Sequence, residues 1–345
     1  MGRCECTYMK KRKANKRKHR PTRYLKYKGR FGECLLGLKK VEENHIEIPK
    51  HVSLSPDSNA HRLIETLDAS MKEPERFVDF KKVEVITIRG GLVLRAYRDE
   101  FFTYNGFYPK IVPPKNKKIR AVLQFLGYGD YGMDCSQYGD IACWDIRSWD
   151  ADEDFRETSF PKLIMEEIIP KCCGKKLDDV SSDLATAIAE AINNSSEHAY
   201  KGKKESSKFR KWYLGCGEYP RSGRITFCVY DRGQGFKDSM TTEGSFWNIL
   251  KPLEGDYKYI ERATRGTSGT KVAGRGKGLK TAVSKLQKAN GIVEILSGKG
   301  LFSTDERVVS RDRKTVIDGS IIAFYLPAKY IGGDDEYGRK DTEDN

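Results

Sequence analysis

The sequence RITFCVYDRGQG at residues 224–235 predicts a β-strand that ends in a carboxylate and two glycines. Its first seven residues have the β-branched and aromatic content of a strand. Asp231 then offers a fixed hydrogen-bond acceptor beside Gly233 and Gly235, where backbone without Cβ lets a flat ring lie close to the chain. Such an acceptor suits an exocyclic amine, as on adenine, although an ordinary turn has the same pattern.

A helix with a polar row is predicted upstream of this strand. Apolar residues recur at three- and four-residue intervals from Leu177 to Ile192, which makes one face that can be buried against a sheet. Glu190, Asn194 and His198 follow at i, i+4 and i+8, so they line up along one face. Such a row is either a solvated helix face or part of a site. We leave His198 outside the predicted site, because a histidine at a helix end commonly pairs with a neighbour or water.

A glycine-rich stretch predicts a phosphate site at the start of another helix. The run AGRGKGL at residues 273–279 leads into an apolar helical repeat of Leu279, Ala282, Val283 and Leu286. The start of such a helix presents unpaired backbone N–H groups and the positive end of the helix dipole, which favour phosphate. The run differs from the usual phosphate loop, because no strand directly precedes it and no Gly-Lys-Ser/Thr is present.

In their order along the chain, from Glu190 through Asp231 to Gly274, the three motifs resemble the GHKL superfamily of ATP-binding domains. That superfamily includes DNA gyrase B subunits, mismatch-repair and heat-shock ATPases, histidine kinases and anti-sigma-factor kinases. The helix of Glu190 and Asn194 is similar to its N box, residues 231–235 to its first glycine box, and residues 274–278 to its second. The resemblance covers about residues 160–330.

A fourth motif, Gly319-Ser320 in the apolar run GSIIAFYLP, resembles the family's last Gly-Thr strand, with Ser in place of Thr. The resemblance implies the Bergerat fold, an α/β sandwich with a mixed sheet, in which ATP lies between helices and a mobile lid, here residues 237–273. It also implies that Asn194 coordinates Mg²⁺, which prefers oxygen ligands. The predicted site consists of Glu190 as catalytic base, Asn194 as metal ligand, and Asn194, Asp231, Gly233, Gly235, Lys271, Gly274, Gly276, Lys277, Gly278, Leu279 and Ser320 as ATP-binding residues.

Residues 77–94, FVDFKKVEVITIRGGLVL, predict an apolar strand that turns through Gly90 and Gly91 into a helix. This pattern resembles the STAS-like modules of anti-sigma-factor antagonists, which sometimes precede a GHKL domain, over about residues 45–130. That family has a phosphorylatable Ser at the turn, where this chain has Arg89. An ordinary α/β segment fits the pattern equally well.

Positive charge is concentrated at the N-terminus. Thirteen Lys and Arg and one acid, Glu5, give residues 1–30 a charge of +12, which leaves +2 for the other 315 residues. A basic arm of this kind can bind the phosphates of nucleic acid. A solubilising arm or a contact for an acidic protein would have the same composition.

The length predicts two domains. With the resemblance, we expect an α/β protein that is bacterial-like and cytoplasmic. We expect a basic arm at 1–35, a smaller N-terminal α/β domain at 36–150, a GHKL domain at 151–331 and an acidic tail at 332–345. No apolar stretch approaches the roughly 18 residues of a membrane helix. The nine cysteines form no CxxC pair, which is typical of reduced thiols.

Two classes of function follow from the resemblance. The first is a Mg²⁺-dependent ATPase whose nucleotide state switches contacts with a protein partner, a second copy or nucleic acid. The second is a protein kinase of the anti-sigma-factor type, which passes the γ-phosphate to Ser, Thr or His. Glu190 suits either reaction, because both need a base beside the γ-phosphate.

Overall fold

The computed structural model describes residues 44–54, 60–131, 142–150, 166–167, 178–194, 198–201, 207–219, 224–240, 254–266 and 278–327. All of them belong to one unit that starts at Asn44. Their mixed helices and sheets confirm the predicted α/β class. In chain order the described strands and α-helices are β1 (His45–Glu47), β2 (His51–Val52), α1 (Ala60–Lys72), β3 (Phe77–Asp79), β4 (Val85–Ile86), α2 (Ile88–Asn105), β5 (Ile111–Val112), α3 (Lys117–Phe125), β6 (Ala142–Asp150), α4 (Asp178–Asn194), β7 (Lys211–Tyr219), β8 (Arg224–Asp231), α5 (Gly235–Met240), α6 (Asp256–Arg265), α7 (Gly278–Lys288), β9 (Ile292–Ser303) and β10 (Arg311–Pro327).

Residues 44–131 alternate short parallel strands with helices. Strands β1, β3 and β5 form a parallel sheet in that order, and β2 pairs in parallel with β4. The predicted turn at Gly90 and Gly91 is wrong, because both residues lie in the first turn of α2. Thr87 caps the start of α2, and its side chain accepts from the backbone N–H of Gly90. A Cβ at Gly90 would lie 2.1 Å from the carbonyl oxygen of Val52, so the glycine allows the helix to pack directly on backbone.

The second sheet has five strands in the order β6-β7-β8-β10-β9. Its four described pairings are antiparallel, whereas the resemblance implies a mixed sheet. Asp231 at the end of β8 lies between Trp212 of β7 and Ser320 of β10. Because β8 is central in this sheet, the predicted site lies at the end of a strand that is paired on both sides.

Side chains alternate between the two faces of this sheet, as strand geometry requires. One face packs against α4 and α7, whose apolar residues recur at helical spacing, and against Ile260 of α6. These elements confirm the helices predicted from the apolar spacing of residues 177–192 and 279–286. The buried residues of the sheet on this face are Trp212, Leu214, Cys216, Ile225, Phe227, Val229, Val293, Ile295, Ile322, Phe324 and Leu326.

The opposite face packs against α2 and its neighbours in residues 44–131. Tyr213, Cys228 and Tyr230 of the sheet share one apolar core with Leu92 of α2. The domain boundary at residue 150 stays a prediction, while β6, which ends there, pairs with β7 of the second sheet. In the described residues no helix is long and apolar enough to cross a membrane.

Candidate nucleotide site

The carboxylate of Asp231 is the centre of the candidate site. Its side chain is buried with the residue only 1% exposed, and its Oδ1 accepts from the backbone N–H of Gly233 at 2.8 Å. Its Oδ2 accepts from the hydroxyl of Ser320 at 2.6 Å. The structure therefore brings together the first glycine box and the last predicted motif, because Asp231 and Ser320 are 89 residues apart in the chain.

Two glycines allow the backbone to approach closely around this carboxylate. Gly319 has φ of 80°, and a Cβ there would lie 1.9 Å from the carbonyl oxygen of Asp231. A Cβ at Gly233 would lie 2.3 Å from the carbonyl oxygen of Ala199. The neighbouring Gln234 donates its backbone N–H to that same oxygen at 2.7 Å, which joins the loop after β8 to the segment after α4. Any side chain at either glycine would push these segments apart.

Ser297 on β9 is a second hydroxyl at this end of the sheet, and the sequence prediction missed it. Its Oγ donates to the carbonyl of Gly319 at 3.0 Å and accepts from the backbone N–H of Phe236 at 3.0 Å. Gly235, with φ of 75°, begins α5 at this point, and a Cβ there would lie 2.6 Å from the Ser297 oxygen. Ser297 therefore fixes the start of α5 relative to the strand that carries Ser320.

Tyr200 lies beside Asp231 and was also missed. Its hydroxyl accepts from the backbone N–H of Arg232 at 3.2 Å and donates to the carbonyl of Lys211. Burial, and then the negative charge of Asp231, raise the pKa of this phenol well above its ordinary value. The phenol is therefore neutral at physiological pH, and it acts as a fixed polar contact for the backbone around Asp231.

Glu190 meets the start of α7. A Cβ placed on Gly278, the first residue of that helix, would lie 1.7 Å from the Glu190 Oε2. A carboxylate beside the positive end of a helix dipole is stabilised by about 0.3–1 kcal/mol. The same N–H groups attract phosphate, so a base and a potential phosphate site lie at the same helix end.

The structure describes some of the predicted site residues and not others. Asn194 ends α4, but its side chain lies outside the described residues, as do Lys271, Gly274, Gly276 and Lys277 entirely. Leu279 is the second residue of α7, and its side chain is buried in the apolar core between α7 and the sheet. Within the described part of the chain no group of three His, Cys, Asp or Glu side chains could hold a metal ion. The predicted Mg²⁺ ligand, Asn194, stays a prediction.

The segment between the two glycine motifs differs from the predicted lid. Asp256–Arg265 is a packed helix, α6, with Tyr259 and Ile260 fully buried. The carboxylate of Asp312 on β10 caps it by accepting from the backbone N–H groups of Asp256 at 3.1 Å and Tyr257 at 3.0 Å. Because this part is anchored to β10, the predicted polar lid loop is wrong for these ten residues. Residues 237–240 at the start of the predicted lid belong to α5, and 241–253 and 267–273 lie outside the described residues.

Comparison of the sequence and structure with protein-family models, with curated proteins and with solved structures gave no match.

Proposed function

We propose that this protein binds ATP with Mg²⁺ in the manner of the GHKL superfamily and hydrolyses it, with residues 178–327 forming most of the site. The observation that carries the proposal is the buried carboxylate of Asp231, held at a strand end by Gly233 and Ser320. The Bergerat arrangement and a cytoplasmic location are parts of the same proposal.

Asp231 determines which nucleobase the proposed site accepts. An ionised carboxylate accepts hydrogen bonds and donates none, so it suits a ligand edge that presents an N–H group. The 6-amino group of adenine is such an edge, whereas a 6-oxo purine would place an oxygen against the carboxylate. Ser320 holds the carboxylate in one orientation through its 2.6 Å bond, so the acceptor is positioned before the ligand arrives.

Glu190 acts at the other end of the nucleotide. The phosphates lie against the N-terminus of α7, where the Glu190 carboxylate contacts Gly278. Glu190 accepts a proton from water while the water oxygen bonds to the γ-phosphorus and the bond from phosphorus to the β-phosphate oxygen breaks. Asn194 would hold Mg²⁺, which would supply positive charge beside the transferred group. Contact between this protein and a partner then depends on whether ATP or ADP is bound.

Base selectivity tests the proposal. We expect calorimetry in Mg²⁺ to show ATP binding and at least tenfold weaker binding of inosine triphosphate, which differs from ATP in having a 6-oxo group. With inosine triphosphate, the site loses the hydrogen bond from the 6-amino group to Asp231. The 6-oxo oxygen then faces the carboxylate, which is also an acceptor. Equal affinity for the two nucleotides, or binding of neither, would overturn the assignment of Asp231.

A further inference from the structure

A second surface of the protein, distant in the chain from the nucleotide motifs, exposes aromatic rings. Four large aromatic side chains are exposed at the end of α2 and in the loop after it. Soluble surfaces seldom expose aromatic residues in such a concentrated run, so this patch is a candidate binding surface. Its members are Phe102, Tyr104, Phe107 and Tyr108, exposed by 43%, 50%, 39% and 48%.

The rings are held in place before any ligand binds. Gly106 ends α2 with φ of 75° and donates its N–H to the carbonyl of Phe102, which reverses the chain. Tyr108 then stacks on Phe102, with ring centroids 4.5 Å apart and an angle of 24° between the planes. The guanidinium of Arg98 lies 3.8 Å from the centre of the Tyr108 ring. Arg98 is itself fixed by a 2.6 Å bond to the carbonyl of Gly127.

Positive charge follows these rings in the chain, while the two acids that directly precede them, Asp99 and Glu100, pair with Arg98 and Arg232. Residues 101–129 contain five Lys and Arg and no Asp or Glu. Lys115, Lys117 and Lys118 are exposed, and none of them makes an ion pair with any residue that the structure describes. Two of the three lie in the first turn of α3, where the helix dipole disfavours positive charge. These lysines therefore do not stabilise their own helix, and they suit an anionic partner.

The rings and the lysines are joined in the chain by β5, which is the edge strand of the β1-β3-β5 sheet. Tyr108 and Lys115 are seven positions apart, a distance of at most about 25 Å in an extended chain. We name this edge, from Phe102 to Lys118, the aromatic–lysine edge.

We propose that the aromatic–lysine edge binds a single strand of nucleic acid, with bases stacked on the rings and phosphates at the lysines. Exposed rings near cations are what sequence-tolerant single-strand binding needs. Because Phe102 and Arg98 cover the Tyr108 ring, bases would stack on Phe102, Tyr104 and Phe107, with Tyr108 and Arg98 supporting Phe102. A duplex is disfavoured, because the faces of its bases are already stacked on one another and only phosphates would be left to bind. The inference does not depend on ATP binding, and it uses residues other than the basic arm at 1–30.

Two oligonucleotides distinguish binding through stacked bases from binding through phosphates alone. The full-length protein is titrated with a fluorescent oligothymidylate and with an abasic strand of equal length, and binding is followed by anisotropy. We expect Phe102→Ala/Tyr108→Ala to weaken oligothymidylate binding about tenfold and to leave abasic binding unchanged. The control is Val309→Ala, an apolar residue 69% exposed between β9 and β10. The basic arm is present in every variant, so its contribution cancels.

Three results would overturn the proposal: equal affinity of the aromatic variant and the wild type, an equal loss in Val309→Ala, or a wild type that prefers neither strand. A lysine variant decides the matter if the aromatic variant does not fold by circular dichroism. Lys115→Gln/Lys117→Gln/Lys118→Gln changes only exposed side chains. The slope of log affinity against log salt should fall by about 2, since each phosphate contact in a single strand contributes about 0.7. An unchanged slope would contradict phosphate binding at these lysines.

Discussion

Asp231 and Arg232 are neighbours in the chain, both are buried, and they serve opposite faces of the same sheet. Asp231 lies on the face covered by α4 and α7, and its described donors are the neutral N–H of Gly233 and hydroxyl of Ser320. Arg232 lies on the face covered by α2, where it pairs with Glu100 at 2.8 Å and stacks over Tyr97 at 3.9 Å. The described donors to Asp231 are thus neutral groups, whereas the described partners of Arg232 include the opposite charge of Glu100.

Buried ion pairs are characteristic of the α2 face. The α2 face contains a second buried pair, Arg89 with Glu294 at 2.7 Å, and both side chains are 11% exposed. Such pairs join two layers of the protein, and they leave little for a ligand to add. In the proposed function, the carboxylate of Asp231 on the α4 and α7 face binds a ligand, while the ion pairs of the α2 face hold the layers together.

The largest effect should come from the α2 face. Arg232→Met removes the cation that lies 2.8 Å from the mostly buried carboxylate of Glu100, and we expect the free energy of unfolding to fall by about 3–5 kcal/mol. Urea denaturation measures it, with Arg311→Met, an exposed arginine of β10, as the control. A loss below about 1 kcal/mol would mean that this pair does not hold the layers together.

The next effect belongs to the other face and should appear in turnover rather than stability. Glu190→Gln keeps the shape of the side chain against Gly278 but removes the base, so turnover should fall about 10²-fold while ATP stays bound. The assay uses γ-labelled ATP and counts free phosphate and labelled protein separately, which distinguishes an ATPase from a kinase. Normal turnover in Glu190→Gln would remove this residue from the mechanism.

Gly278→Ala tests the same contact from the helix side. The added methyl group would occupy the space of the Glu190 carboxylate and displace it, and a misplacement of about 1 Å can cost 10²-fold in rate. Combining Gly278→Ala with Glu190→Gln should then cost little more than either change alone. Additive losses in the double variant would show that the two residues act separately.

A smaller effect is expected at the hydroxyl that orients Asp231. Ser320→Ala removes the 2.6 Å bond to Oδ2, and ATP affinity should fall about tenfold, equivalent to about 1.4 kcal/mol. The free energy of unfolding should also fall by about 1–3 kcal/mol, because a buried acceptor loses its donor. Calorimetry and urea denaturation measure the two losses, with Thr66→Ala on the exposed face of α1 as control. Unchanged ATP affinity would leave Ser320 a purely structural role.

Periodic patterns explain which elements could be predicted from the sequence. The helix α4, the strand β8 and the helix α7 carry apolar residues at their characteristic spacings, and each is present close to its predicted bounds. Glycines were harder to interpret. Gly90 suggested a turn, yet it serves close packing of a helix on Val52, because a missing Cβ permits either use.

Contacts between distant segments explain what the sequence could not provide. Tyr200 and Ser297 belong to no motif, and they reach the site only through strand pairing and the path of the chain after α4. The helix α6 was taken for a polar loop, because only Tyr259, Ile260 and Thr264 of it are buried and its cap, Asp312, lies 56 residues beyond Asp256. Long-range caps of this kind leave no local pattern.

The most direct test of the central claim is the ATP affinity of Asp231→Asn beside the wild type, measured by calorimetry in Mg²⁺. Asn keeps the size of the side chain but replaces one acceptor oxygen with an amino group that opposes the adenine amine. We predict that the wild type and Glu306→Gln, an exposed carboxylate between β9 and β10, bind one ATP per chain, while Asp231→Asn binds at least 10²-fold more weakly. ATP binding of equal strength in all three proteins, or in none, would contradict the account.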